Sequence, residues 1–237
     1  MGSRYALRWR LWTAAAAAAA GYGVFLIVTA ARLPHGAALT GQFTGQPLVK
    51  ALPALLLAAA AALHRSTIER RWLVPALLCS AAGDFLLALP RWAPSFVLGL
   101  ASFLVAHLCF IAALWPTIPR LPSGRHGRLV AIAVVVGACA AQLMWFWPNL
   151  VAQHMTVPVP VYIAVLGTMV CAALLAERPT PWTALGAVCF AVSDSMIGIS
   201  KFVLRAPDTE MLAVPIWWFY AASLLLITAG FFAQREH

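Results

Sequence analysis

Charge is scarce in this chain, and acidic charge is scarcest. Only seven residues are Asp or Glu, and Asp, Glu, Lys and Arg together make up 10% of the 237 residues. A soluble domain usually carries about 25% charge. With 63% hydrophobic residues and a mean hydropathy of +0.87, the chain cannot cover a polar surface of ordinary size. A soluble globular fold is excluded on that ground. Paired cysteines are lacking too. Cys79, Cys109, Cys139, Cys171 and Cys189 all lie inside apolar runs and no CxxC occurs, so neither a disulfide framework nor a cysteine metal site is indicated. No HExxH, GxSxG, GxGxxG or P-loop is present. Ser195 beside Asp194 is no triad, because adjacent helix residues point in different directions. The net charge of +9 does not point to nucleic acid, since the cations are scattered over short loops rather than gathered on one face. Anionic headgroups explain them better.

Long hydrophobic runs are what the chain has. Eight apolar segments are drawn at about 11–31, 47–63, 72–89, 94–115, 128–147, 157–176, 180–200 and 211–232. At about 20 residues per span they consume most of the length. The expectation is an all-α polytopic membrane protein, a single transmembrane helical domain over residues 1–237. The first segment follows Arg4, Arg8 and Arg10 and continues through GYGVFLIVTAA, which reads as a signal anchor; cleavage in its Ala-rich run would leave seven spans. Pro53 is expected to kink or tilt the second span. With the N-terminus inside, eleven Lys and Arg fall on the inner side and five on the outer. The positive-inside rule then favours both termini in the cytoplasm, and a bacterial inner membrane is expected. Trp9, Trp12, Trp72, Trp92, Trp115, Trp147, Trp182, Trp217 and Trp218 fall near span ends, as an aromatic belt requires. Cys79 precedes Asp84 by five residues as Cys189 precedes Asp194, an echo that suits two parallel four-helix halves.

Against this background two acidic residues stand out, Asp84 in LLCSAAGDFLLALP and Asp194 in AVCFAVSDSMIGIS. A carboxylate in hydrocarbon costs several kcal/mol unless paired, protonated or hydrated. Each lies about six residues before the end of its span, so both are expected roughly 9 Å beneath the same membrane face. Lys50 opens the second span on that face, Tyr162 enters the sixth from it, and His107 lies deeper in the fourth with Ser102 above it. Asn149 and His154 are placed in a loop on the same side. The opposite half is nearly free of ionisable groups. The expectation is a polar cavity opening to one leaflet, closed below by packed Leu, Ala and Val.

Each residue also has a plainer reading. Either Asp can be a packing device between helices. Lys50 can snorkel to the interface, His107 can be a satisfied core residue, and Tyr162 an interfacial tyrosine. Gly83 and Ser193 can serve close helix approach, although Ser193 can also donate to a carboxylate. Functionally, two carboxylates in a partly dry pocket can divide the roles of acid and base. That suits hydrolysis through an oxocarbenium-like state. Access from a leaflet points to a lipid, with a cation such as Lys50 holding a phosphate head. A proton-coupled transporter and a non-catalytic lipid-binding protein are the other classes open at this point.

The segment AAGDFLLALPRWAPSFVLGLASFLVAHLCFIAAL resembles the GD-x-x-L, F-x-x-G-x-x-x-F-x-x-x-H pattern of the YhhN/TMEM86 family of integral membrane lysoplasmalogenases. TALGAVCFAVSDSMIGISKF resembles its GA-x-x-F-x-x-SD pattern, and VYIAVLGTMVCAAL its Tyr- and Met-containing sixth span. The likeness runs from about residue 45 to 230. It implies eight spans and hydrolysis of the vinyl ether bond of lysoplasmalogens, giving a fatty aldehyde and glycerophosphoethanolamine or glycerophosphocholine. It implies Asp84 and Asp194 as catalytic residues, with Lys50, Ser102, His107, Tyr162 and Ser193 as substrate-binding candidates. The partners implied are a lyso-ether phospholipid and membrane lipids, with no nucleic acid, no metal and no cofactor. One departure is visible: the family often opens span two with Lys-Pro, whereas here Gln46 precedes Pro47 and Lys50 follows one turn later.

Overall fold

The computed structural model describes residues 2–64, 67–89, 92, 94–119, 125–205 and 208–233. Arg65, Arg91, Arg120 and Arg235, four of the cations in the charge count, lie outside the described residues. Among the described residues there are eight α-helices, two short 3-10 turns and no strand. The helices are α1 (Gly2–Arg32), α2 (Gln46–Ala62), α3 (Thr67–Leu87), α4 (Ser95–Leu114), α5 (Arg125–Ala152), α6 (Pro158–Leu175), α7 (Trp182–Phe202) and α8 (Ala213–Phe232). One matches each apolar segment. The 3-10 turns are Trp115–Thr117 and Asp208–Glu210.

Six helical stretches are long and apolar enough to cross a membrane, so the chain is a multi-pass membrane protein. The two others differ for local reasons. α2 has 17 residues and is short, although it runs through Pro53 without interruption. α3 carries Glu69, Arg70 and Arg71 near its start and Asp84 near its end. Large apolar side chains face outward on most helices, α5 above all, which packs chiefly on α6 and α7. Such a surface is stable against lipid, where Val, Met and Trp need no burial.

The interior forms around α3, which packs on α2 and α4, and around α8, which packs on α7 and α1. Leu57, Leu73, Leu77, Phe110, Phe190, Leu224 and Phe231 are buried there. α7 and α8 approach closely because glycines remove side chains where the helices cross. A Cβ on Gly186 would lie 2.8 Å from the Ser223 carbonyl oxygen, and one on Gly230 would lie 2.7 Å from the Thr183 backbone nitrogen. Backbone cannot move aside as a side-chain tip can, so the crossing depends on both glycines.

Three expectations are corrected here. α1 and α3 begin earlier than hydropathy marks, at Gly2 and Thr67. This draws Arg8 and Glu69 into helices and buries them, so the face away from the cavity is not free of ionisable groups. There His64 Nε2 lies 2.9 Å from Glu69 Oε2, Arg178 donates to Glu69 Oε1 at 2.9 Å, and Arg8 NH1 lies 3.3 Å from His64 Nδ1. Paired charges at the helix ends offset the desolvation that bars single ones. Trp217 is no belt residue: it is buried, and its Nε1 donates to the Ala19 carbonyl at 2.9 Å. Asn149 belongs to α5 rather than to a loop, because α5 continues through Pro148 to Ala152. His154 does lie in the following loop, with φ of 56°.

Candidate active site

Asp84 sits three residues before the end of α3 and Asp194 eight before the end of α7. Their distances from the helix ends therefore differ, unlike the equal spacing expected from hydropathy. The reason is local: Leu89 precedes Pro90, and a residue before proline disfavours helix, whereas α7 continues past Lys201. Both aspartates nevertheless open on one cavity of about 480 Å³. Its walls come from α1, α2, α3, α4, α7 and α8, roofed by the α1–α2 connection and the Asp208–Glu210 turn.

Each carboxylate is anchored by a tyrosine from another helix. Tyr162 on α6 donates to Asp194 Oδ2 at 2.5 Å, and Tyr220 on α8 donates to Asp84 Oδ2 at 2.5 Å. In both residues Oδ1 makes no hydrogen bond among the described residues, so one oxygen of each is held and the other is not. His107 is fully buried on α4, with Nε2 3.0 Å from the Tyr162 hydroxyl and 3.3 Å from Asp194 Oδ2. Its Nδ1 is buried without a partner among the described residues. A proton on Nε2 has two acceptors within reach, the Tyr162 hydroxyl and Asp194 Oδ2. The ring also packs edge-on against Phe190 at 4.7 Å between centroids.

Lys50 lines the same cavity and feels the charges of Asp84 and Glu210. The variant position Gln46 is consumed elsewhere. It is buried, its Nε2 donates to the Leu39 carbonyl at 2.7 Å and to the Tyr22 hydroxyl at 3.1 Å, and it tethers the roof. Ser193 borders the cavity, but its hydroxyl donates to the Ile216 carbonyl at 3.0 Å rather than to a carboxylate. Ser102 is not brought to the cavity. Its hydroxyl donates to the Cys79 carbonyl at 2.8 Å and ties α4 to α3. Gly83 serves close approach, since a Cβ there would lie 2.5 Å from the Phe103 ring.

A second, apolar chamber of about 50 Å³ adjoins the first. Leu100, Phe146, Ile163, Leu166 and Phe202 line it. Asp194, Phe96, Phe103, Leu87 and Ile197 border both chambers. A polar room and an apolar one thus meet at Asp194. Sequence reasoning did not single out Tyr220, Lys201, Glu210 or Tyr22, all of which border the polar room. Tyr220 lies about two turns into the apolar run of α8, where a tyrosine reads as a packing residue, and only its partner reveals it.

Residues 45–231 match the YhhN family. The chain is 57% identical over 225 residues to proteins named lysoplasmalogenase from Mycobacterium tuberculosis and Mycobacterium bovis, covering 95% of this chain and 85% of each relative. It is 32% identical over 184 residues to Lysoplasmalogenase TMEM86B of Homo sapiens, covering 76% of this chain and 72% of that one. No solved structure matches it.

Proposed function

The chain belongs to the YhhN family, and from that premise we propose that it is a lysoplasmalogenase, hydrolysing the vinyl ether bond of a lyso-ether phospholipid by aspartate acid–base catalysis. The products are a fatty aldehyde and glycerophosphoethanolamine or glycerophosphocholine. The observation that carries this reading is the meeting of the polar and apolar chambers at Asp194. A single-chain lipid has that same division, with its vinyl ether where head and tail join. The names of the relatives agree with it.

In this mechanism Asp194, which alone of the two aspartates touches the apolar chamber, delivers a proton to the vinyl carbon distal to oxygen. The double-bond electrons form the new C–H bond, leaving an oxocarbenium ion. Asp84, in the polar room, stabilises that charge and takes a proton from water as its oxygen bonds to the cationic carbon. The hemiacetal then collapses: Asp194 takes the proton of its hydroxyl, the C–O bond to glycerol breaks, Asp84 gives its proton to the glycerol oxygen, and the aldehyde leaves with both aspartates restored. Water supplies every atom added, and the steps need no metal or redox cofactor. Tyr162, His107 and Tyr220 hold the two carboxylates in place. Lys50 binds the phosphate.

The chain forms a single domain in which all eight helices cross a bacterial inner membrane, both termini are cytoplasmic, and the two groups of four helices run in parallel. The polar room then faces the non-cytoplasmic leaflet. A transport reading is poorly supported, because packed Leu and Phe side chains and the buried Arg8–His64–Glu69–Arg178 cluster fill the far half. The test is aldehyde release by the purified chain from a lysoplasmalogen, run beside an ordinary acyl lysophospholipid. Release from the first alone is expected. Release from neither, with proton-coupled flux in liposomes, would replace this reading with transport.

A further inference from the structure

The outer end of the polar room holds three ionisable side chains besides the aspartates. They are Lys50 on α2, Lys201 at the end of α7, and Glu210 on the 3-10 turn before α8. None of the three makes an ion pair or hydrogen bond among the described residues. Lys201 instead holds its Nζ 5.0 Å from the Phe96 ring centroid, at the wall of the room. Lys50 is close enough to feel Glu210 electrostatically, yet the two do not pair. Two cations and an anion that share a cavity without pairing are matched by a ligand carrying both signs.

The turn that carries Glu210 is held in place. Ser200 donates to the Thr209 carbonyl, and His35 lies 3.0 Å from Asp208, which ties the turn to the α1–α2 connection. Glu210 also borders a smaller hollow of about 120 Å³ under that connection, with Leu33, Pro34, His35, Leu39 and Val214 in its walls. One carboxylate therefore borders both the polar room and a side hollow with mixed polar and apolar walls. Such a hollow suits the small, partly apolar end of an aminoalcohol better than a hydrated anion.

We propose that Glu210 recognises the ammonium group of a zwitterionic phosphodiester head whose phosphate lies between Lys50 and Lys201. The inference rests on the lyso-ether lipid reading and names the residues that choose the head. A phosphate monoester carries more negative charge and no cation, so Glu210 would repel it. Glu210 is then a specificity residue, remote from the bond that breaks.

The experiment uses the full chain in detergent with two substrates of one alkenyl chain, a 1-alkenyl lysophosphoethanolamine and the matching 1-alkenyl glycerol phosphate. In E210Q, KM for the first is expected to rise about tenfold with kcat within about twofold, while KM for the second stays level or falls. K201Q is expected to raise KM for both, because both carry the phosphate. A second arm measures binding of the saturated 1-alkyl lysophosphoethanolamine, which has no vinyl ether to cleave. If the wild type cleaves neither substrate but E210Q still weakens this binding about tenfold, the head site stands and the hydrolase reading falls. If E210Q melts as the wild type does and leaves both the substrate preference and the alkyl-ether binding unchanged, the head site is wrong. Should E210Q not fold, K201Q decides, since unchanged KM values and unchanged alkyl-ether binding in that variant overturn the proposal.

Discussion

Tyr220 on α8 donates a 2.5 Å hydrogen bond to Asp84 on α3, joining residues 136 positions apart in the chain. The same device recurs on the other side of the polar room, where Tyr162 holds Asp194 across 32 positions. In each case a phenol fixes one oxygen of a carboxylate that borders the cavity. Two acidic groups that would be costly alone in a membrane are thus set in defined positions within one room.

Replacing either carboxylate is expected to abolish turnover. Asp84→Asn and Asp194→Asn should each lower kcat for aldehyde release by about a thousandfold, with the proteins still monodisperse in detergent. Near-normal release by either variant would remove that residue from the mechanism.

Tyr220→Phe keeps the ring and deletes the anchor of Asp84. A fall in kcat of about tenfold is expected, with KM within about twofold, as for a group that positions another. The double variant with Asp84→Asn should be no slower than Asp84→Asn alone, because the tyrosine acts through that carboxylate. Additive losses in the cycle would mean that Tyr220 acts independently.

Ser102 is expected to matter for stability only. Its hydroxyl is engaged with the Cys79 carbonyl, so Ser102→Ala should cost about 0.5–1 kcal/mol and leave kcat and KM level. A changed KM would return Ser102 to the list of substrate contacts.

Glu69→Gln should be among the most destabilising polar changes on the far face. Glu69 accepts from Arg178 and faces His64, with both the Glu69 and Arg178 side chains buried. Removing one partner of a buried pair costs about 3–5 kcal/mol because the other charge is stranded. A sharp drop in melting temperature, read beside that of Ser102→Ala, checks this; equal melting would show that the cluster is hydrated in the membrane.

Gly198 lies where the apolar chamber meets α5, and a Cβ there would fall 2.5 Å from the Phe146 ring. Gly198→Ala should push that ring into the chamber. Turnover of long alkenyl chains is expected to fall about tenfold more than that of short ones. A loss independent of chain length would place the tail elsewhere.

Whatever depends on local chemistry is legible in the chain alone. Runs of Leu, Ala and Val specified the helices, because a helix satisfies its own backbone and its side chains need only match lipid. Asp84 and Asp194 declared themselves because the penalty on a carboxylate in an apolar run is local too. The ordered motifs around them added His107 and Tyr162, which do meet at Asp194. Which groups answer those carboxylates depends on how the helices pack. Tyr220 looks like an ordinary packing residue, Lys201 like a cation at a helix end, and Glu210 like a loop acid, until the crossing of α3, α7 and α8 brings them to one room. Helix crossing likewise turned Ser102 away to a carbonyl of α3 and closed Arg8, His64, Glu69 and Arg178 into a buried cluster. Hydropathy is summed along the chain, whereas a hydrogen bond is satisfied across it. For Asp84 and Asp194 the need could be read in sequence, and the partners only in space.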